Sequence, residues 1–268
     1  MCRLLGYVGK PIRLDWLLFK PKHSLIVQSY NPQEMTSGLL NADGFGIGWH
    51  HPEREDLPYI YKNPLPIWAD SNLSEIARCI ETDSILGYVR SATPGSSIDI
   101  SNCQPFRQEK LTFVHNGFIE NFRQTLYRPI RNLLSDKYYQ SIKGSTDSEH
   151  IWALINTHLE NDASLDLAAA LRRTLIQITE MAQKYESSFS ANTIISNGDR
   201  MIVSRYSDRT QTPTLYWIKD SLAFPDSVII ASEPMFEGDW KPCADNSMMV
   251  VSSDLEISFS EISKPDEG

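Results

Sequence analysis

The sequence is short of positive charge, of cysteine and of long apolar runs, and each shortage removes a class of function. Its 25 Lys and Arg face 34 Asp and Glu, a formal charge of −9. Such a balance repels nucleic acid and anionic lipid on average, leaving a local basic pocket as the one way to hold an anion. No segment reaches the roughly 20 apolar residues that span a bilayer, and the start, MCRLLGYVGKPIRLDW, lacks the apolar region and cleavage site of a secretory signal. A cytoplasmic protein with no nucleic-acid and no membrane partner is the expectation. The four cysteines, at 2, 79, 103 and 243, form no CxxC pair. In a cytoplasmic chain they are expected as reduced thiols, with Cys79 packed in the core from a predicted helix. The six histidines, at 23, 50, 51, 115, 150 and 158, give no HExxH and no Cys/His ladder, so no metal is assigned. His50 and His51 precede the charged turn PEREDLP and read as an exposed loop.

What is present suffices for a core: 268 residues, 41% of them hydrophobic, with no internal repeat or low-complexity tract. Short apolar runs alternate with turns in RLLGYVG, HSLIVQS, FGIGWHH and LPYIYKN, the last two predicting a hairpin. A helix is expected from Asn72, where Asn72 and Glu75 have capping-box spacing and Leu73, Ile76, Ala77 and Ile80 share a face. ILGYVRSA predicts a strand that delivers Arg90 to its end, and KLTFVHNG a strand running into a turn at Asn116-Gly117. Thr146 and Glu149 open a helix carrying Ile151, Trp152, Leu154, Ile155 and Leu159. A longer amphipathic helix, LDLAAALRRTLIQITEMAQKYE, is expected to lie beside it. Beyond Asn197-Gly198, a hairpin signal, LYWIKD, SVIIASEP, MMVVSS and LEISFSEI continue an antiparallel pattern. Strands, helices, then strands fit one α/β domain with stacked sheets better than a βαβ dinucleotide fold.

Chemistry enters at Cys2. Removal of Met1 would place a free amine and a thiol on one residue, a base and a nucleophile at fixed distance; the amine titrates at about 8 and a free cysteine at about 8.5. Cys2 directly precedes an apolar strand, Arg3 to Gly9, so the thiol is held against a sheet. Asn116-Gly117 offers a side-chain N–H beside a backbone N–H, a pairing suited to an oxyanion, although Asn-Gly is more often only a turn. Arg90 could take a substrate carboxylate in a bidentate contact, or form a surface ion pair. Asp147 could bind an ammonium, or complement the dipole of its helix. Together Arg90 and Asp147 match the head group of an amino acid.

The stretches MCRLLG, PKHSLIVQSY, GLLNADGFGIGW, VRSATPG, FVHNG, TDSE and ASEPMFEGDW resemble, in order and over most of the chain, the class II glutamine amidotransferase superfamily of N-terminal-nucleophile hydrolases. Within it the resemblance is nearest to the γ-glutamyl hydrolases of ergothioneine biosynthesis. It implies an α+β fold, a four-layer αββα sandwich with mainly antiparallel sheets, built as a single domain over 2–262 with a loose tail at 263–268. It also implies roles: Cys2 as nucleophile with its freed amine as base, Asn116 and Gly117 as oxyanion hole, Arg90 for the substrate α-carboxylate, and Asp147 for its α-amino group. Thr93 would orient the same head group, and Asn41, Asp43 and Gly44 would shape the site. Two positions depart from the pattern. Tyr88 in GYVRSA stands where many relatives have histidine in GHxRxA, and Gln104 in CQPF where others have the histidine of HPF; both leave the pocket's hydrogen bonding open. Cys103, with no base beside it, reads as structural.

The resemblance implies hydrolysis of γ-glutamyl-hercynylcysteine sulfoxide to glutamate and hercynylcysteine sulfoxide, with no cofactor. Two readings in the same enzyme class stay open: a glutaminase subunit feeding ammonia to a synthase partner, and a hydrolase of γ-glutamyl thiols such as glutathione. A non-catalytic amino-acid-binding module is the alternative in another class. The oligomeric state, a homo-oligomer included, is left open. Trp49, Trp68 and Trp240 could line an outer pocket, with a core or interface role favoured for each.

Overall fold

The computed structural model describes residues 1–35, 38–51, 53–92, 97–209 and 211–262. The 263–268 tail and Thr93 lie outside them. The amino-terminal half supplies strands β1 (Arg3–Arg13), β2 (Phe45–His51), β3 (Glu55–Asn63) and β4 (Glu81–Val89), with helices α1 (Leu14–Leu18), α2 (Leu25–Tyr30) and α3 (Leu73–Cys79) between them. Strands β5 (Phe106–Gln108) and β6 (Leu111–Ile119) follow, then helices α4 (Tyr127–Arg131), α5 (Asp136–Ser141), α6 (Asp147–Asn161) and α7 (Leu167–Lys184). The remainder is strand: β7 (Phe189–Ser196), β8 (Met201–Ser207), β9 (Tyr216–Ser221), β10 (Phe224–Ala231), β11 (Lys241–Pro242), β12 (Ser247–Val251) and β13 (Ile257–Glu261).

Among the described residues the strands form two antiparallel sheets, ordered β11-β9-β10-β1-β4-β2-β3 and β13-β12-β8-β7-β6-β5. Three apolar layers tie them to the helices. Leu5, Tyr7, Ile85 and Val89 pack under α1–α3 on the outside of the first sheet. Phe113, Phe189 and Ile195 pack under α6 and α7 on the outside of the second. Leu4, Val8, Leu86, Tyr88, Val114, Ile194 and Val203 fill the space between. Three cores between four layers make this an αββα sandwich, as the resemblance to N-terminal-nucleophile hydrolases implies.

The period of two along a strand decides what reaches the middle. On β1, Leu4 faces the second sheet and Leu5 the helices. On β4, Leu86 and Tyr88 face inward, so Arg90, two residues on, leaves the strand on the same side. On β6, Val114 faces inward and Asn116 follows it.

Several local expectations are corrected. The apolar run HSLIVQS, to which the sequence alone assigns no element, enters a helix: Ser24 caps it by accepting from Val27 N at 3.5 Å, and only Leu25, Gln28 and Ser29 are buried, a helical spacing. Asn72 makes no cap at α3; Asp70 does, accepting from the N–H groups of Asn72 and Leu73 at 3.0 and 3.1 Å. Cys79 is in the predicted helix but exposed, since the buried face is that of Leu73 and Ala77. His50 is a buried end-of-strand residue whose Nε2 donates to Lys110 O at 3.0 Å, and burial pulls its pKa down. Asn116-Gly117 is no turn: β6 runs straight through, with Asn116 opposite Asn192 and Gly117 opposite Ala191. The expected Thr146 cap and the expected packing of α6 beside α7 are present, Thr146 accepting from Glu149 N at 3.3 Å; Asp166, accepting from Ala169 N at 2.7 Å, caps α7 as well. Among the described residues no helix is long and apolar enough to cross a membrane, and no group of three or more His, Cys, Asp or Glu could hold a metal ion.

Candidate active site

Cys2 stands half-buried just before β1, at the edge of the inter-sheet layer. Its Sγ accepts a hydrogen bond from the Tyr88 hydroxyl at 2.9 Å and one from Ser91 N at 3.4 Å, and lies 3.6 Å from Ser91 O. The strand behind it is fastened by a buried charge cluster. Arg3, fully buried, reaches back to Cys2 O at 3.0 Å and pairs with Glu233 at 2.8 Å. Glu233 also receives His23 Nε2 at 2.7 Å and the backbone N–H groups of Gln33 and Glu34 at 2.8 and 3.1 Å. Burial pushes the Glu233 carboxyl up, but the His23 and Gln33 hydrogen bonds, the Arg3 charge and the Glu34 N–H outweigh it and hold the pKa at about 2. Next door, Ser232 Oγ accepts from Leu4 N at 2.9 Å. Residues 232–233 thus pin the residues that position Cys2, a part the sequence reading did not give them. The available signal was Arg3 itself, a charge inside an apolar strand, which demands a buried counter-charge.

Arg90 is 3% exposed at the end of β4. The NADG loop holds it through the backbone, Gly44 O accepting from Arg90 N at 2.8 Å and Arg90 O from Asp43 N at 3.0 Å. Its Nη1 donates to Ser97 O at 3.1 Å and Asp43 O at 3.4 Å. Asp43 Oδ2 accepts from Ala92 N at 2.7 Å, fixing the chain just past Arg90. Gly44 has φ +112, and a Cβ there would lie 2.5 Å from Cys103 Sγ, so both backbone and space require glycine. Asn41 is fully buried behind this loop, its N donating to Ser29 O at 2.7 Å.

Asn116 is 1% exposed, and its Nδ2 has no hydrogen-bond partner among the described residues. A buried amide N–H without a partner costs about 1–3 kcal/mol, which makes it a donor waiting for an acceptor. Gly117, the next residue, lines a cavity of about 440 Å³ together with Cys2, Tyr88, Arg90, His115 and Asp147. Asp147 opens α6; its Oδ2 accepts from Ile119 N and its Oδ1 from Ser148 N, both at 2.8 Å. His115 donates from Nε2 to Ser190 O at 3.2 Å, which leaves Nδ1 to accept from Ser148 Oγ at 2.8 Å. That is the neutral tautomer, in keeping with a pKa lowered by burial.

Cys2, Arg90, Gly117 and Asp147 therefore share one cavity. Asn116 lies just behind its wall, and Asn41, Asp43 and Gly44 lie behind Arg90. Gln104 serves the scaffold: its side chain donates to His115 O at 3.1 Å and accepts from His115 N at 2.5 Å, clasping β6 beside Asn116. Cys103 is buried, with Asp99 O and Asn63 O at 3.6 and 3.7 Å, and burial pushes its thiol up. Trp49, stacked on Tyr59, Trp68, edge-on to Tyr30, and Trp240, edge-on to Phe236, are all away from this cavity's wall. A larger groove of about 890 Å³, lined by Trp16, Lys20, His23, Phe224 and Phe236, contains none of these site residues.

The model of the family "Glutamine amidotransferases class-II" matches residues 22–220. This chain belongs to the class-II glutamine amidotransferases. Over 94% of its length this amidotransferase-family chain is 32% identical to the "Probable glutamine amidotransferase DUG3" of Saccharomyces cerevisiae, of which it covers 82%. It is 29% identical, again over 94% of its length, to the γ-glutamyl-hercynylcysteine sulfoxide hydrolase of Mycobacterium tuberculosis, of which it covers 93%. Among solved structures, a glutamine aminotransferase class-II domain protein from Silicibacter pomeroyi superposes with a TM-score of 0.71 at 20% identity, over 98% of this chain and 100% of that one. Fold and family make the chain an N-terminal-nucleophile-type amide hydrolase, and Cys2 is its cysteine suited to nucleophilic attack.

Proposed function

We propose that the chain hydrolyses the γ-glutamyl amide of γ-glutamyl-hercynylcysteine sulfoxide, releasing glutamate, and that one domain over 2–262 carries the whole site. The observation behind this reading is the single cavity that holds a thiol, a cation and a carboxylate: Cys2, Arg90 and Asp147. With Met1 removed, the Cys2 amine takes the thiol proton and Sγ attacks the γ-carbonyl carbon. Arg90 faces the substrate α-carboxylate, Asp147 its α-ammonium, and Thr93 orients the head group. The oxyanion takes up hydrogen bonds from Asn116 Nδ2 and the Gly117 N–H. The C–N bond breaks as the ammonium of Cys2 passes its proton to the leaving nitrogen, and water, deprotonated by the same amine, cleaves the thioester to glutamate and a free thiol. Asn41, Asp43 and Gly44 act by holding Arg90.

The choice of substrate is supported by the Mycobacterium tuberculosis relative and by one of the same description from Mycolicibacterium smegmatis, 28% identical over 94% of this chain. Free cysteines at 2, 79, 103 and 243 support a reducing compartment, the cytoplasm. The likeness to the yeast amidotransferase favours a second reading, a glutamine-hydrolysing subunit that hands ammonia to a partner. Glutamate release by Met1-processed protein from the sulfoxide, glutathione and glutamine in parallel, with Cys2→Ala as control, separates the two. Cys2-dependent preference for the sulfoxide is expected; preference for glutamine, raised by a co-purifying partner, overturns the substrate assignment.

A further inference from the structure

We infer that Tyr88 is a catalytic hydrogen-bond donor to the Cys2 sulfur, holding and stabilising the thiolate where relatives with a GHxRxA motif carry histidine. The inference rests on Cys2 being the nucleophile. Tyr88 is 3% exposed on β4, opposite Leu4 of β1, and its ring is set in the inter-sheet core beside Leu86 and Val114. A ring fixed by a sheet on one side and a packed layer on the other has little freedom to turn its hydroxyl elsewhere. Among the described residues that hydroxyl makes one hydrogen bond, to Cys2 Sγ at 2.9 Å. Ser91 N, at 3.4 Å, supplies a second, weaker donor to the same atom.

The direction of the bond follows from the surroundings. Burial, and then the negative charge that Cys2 can carry, both raise the Tyr88 pKa well above its ordinary value, so the phenol keeps its proton; it cannot serve as base for the sulfur, and toward a thiolate, which has no proton to give, it donates. That leaves the proton-accepting role to the amine of Cys2. The sulfur is negative at two points in the cycle, after its proton moves to the amine and again when the tetrahedral adduct of water and thioester expels it. In the thioester between them it is neutral and a poor acceptor. A donor aimed at sulfur therefore raises the share of thiolate in the free enzyme and speeds thioester breakdown.

The test is the rate of iodoacetamide alkylation of Cys2 against pH, in Met1-processed protein on a Cys79→Ser background, because Cys79 is exposed whereas Cys103 and Cys243 are buried. Loss of a hydrogen bond to a charged atom is expected to move the midpoint of the alkylation profile of Tyr88→Phe up by about one pH unit or more, and to slow turnover by about ten- to a hundred-fold with acid-stable thioester accumulating. Replacement of Tyr88 by a fluorotyrosine keeps the shape and makes the phenol a stronger donor, so its midpoint moves down. Alkylation needs no substrate, so it reads the contact even if the γ-glutamyl assignment is wrong. Midpoints that stay put in both variants, or that follow melting temperature rather than donor strength, overturn the inference.

Discussion

At the scale of single residues, Asn116 carries the clearest mark of purpose. Its buried Nδ2 lacks a partner among the described residues, as do Asn192 Oδ1 and Ser190 Oγ on β7, but Asn116 is the one of the three that adjoins the cavity-lining His115 and Gly117 in the chain. A protein that tolerates such a donor gives up stability for a site that needs no reorganisation when charge develops. Asn116→Ala is therefore expected to lower kcat by about a hundred- to a thousand-fold with KM within a factor of about two, the cost of removing one oxyanion-hole donor. Its melting temperature should hold or rise, since the substitution removes a buried donor that has no partner in the free protein. Steady-state kinetics and thermal unfolding on one preparation test this; a loss of kcat that merely mirrors a loss of stability would assign Asn116 to the scaffold.

At the scale of elements, β6 is the part that sequence reading described least well, and the reason is physical. Asn-Gly carries a strong local turn preference, but the strand continues because Asn116 and Gly117 pair with β7 and because Gln104 clasps the neighbouring backbone. Gly117 is needed for closeness: a Cβ would lie 2.0 Å from Ser190 O, which a strand cannot yield without losing its pairing. Gly117→Ala should lower the melting temperature by several degrees, a destabilisation of about 1–3 kcal/mol or more, and abolish activity together with it. Hydrogen exchange that stays unchanged along β6 and β7 would contradict this. The elements that were legible, the paired strands and α6 and α7, are those whose signal is local: periodicity, the Thr146 cap, Asn197-Gly198. The candidate residues Cys2, Arg90, Gly117 and Asp147 could be named from motif resemblance, and the structure gathers them in one cavity. The partners of Arg3 could not be read, because Glu233 lies 210 positions from His23; the β1–β10 pairing brings Glu233 beside Arg3, and the His23 N to Met235 O bond brings His23 to the same place. Tyr88 was visible as a departure from a pattern, but its bond to sulfur required the parity of β4 against β1.

At the scale of the whole molecule, four buried or half-buried histidines set the response to acid. His50, His115, His150 and His158 all have pKa values lowered, in each case chiefly by burial. The His150 pKa moves from 6.5 to about 4: its Nδ1 donates to Thr146 O at 2.7 Å and its Nε2 accepts from Arg131 at 3.0 Å, an arrangement only the neutral ring can make. Asp147 favours the charged form, but burial and Arg131 prevail. A histidine whose folded pKa is depressed leaves the unfolded chain binding more protons below about 6.5, so its contribution to stability is complete above that pH and is lost as pH falls toward the folded value. For His150 the loss by pH 5 is about 2 kcal/mol, or roughly 4–8 °C in melting temperature for a chain of this size. Glu233, held at about 2, has the same sign but acts lower, its contribution being lost only as pH falls below the ordinary glutamate range. Glu149, whose carboxyl burial raises, has the opposite sign and acts above the ordinary glutamate range, where it offsets part of the histidine loss. The interval from about pH 6.5 to 5 therefore excludes Glu233, and the comparison of wild type with a His150 variant separates that ring from the carboxyls that burial raises. Melting temperature should fall steadily across that interval in the wild-type protein and less steeply in His150→Gln, which cannot titrate; a flat wild-type profile down to pH 5 would mean that these rings do not set the acid limit of the fold.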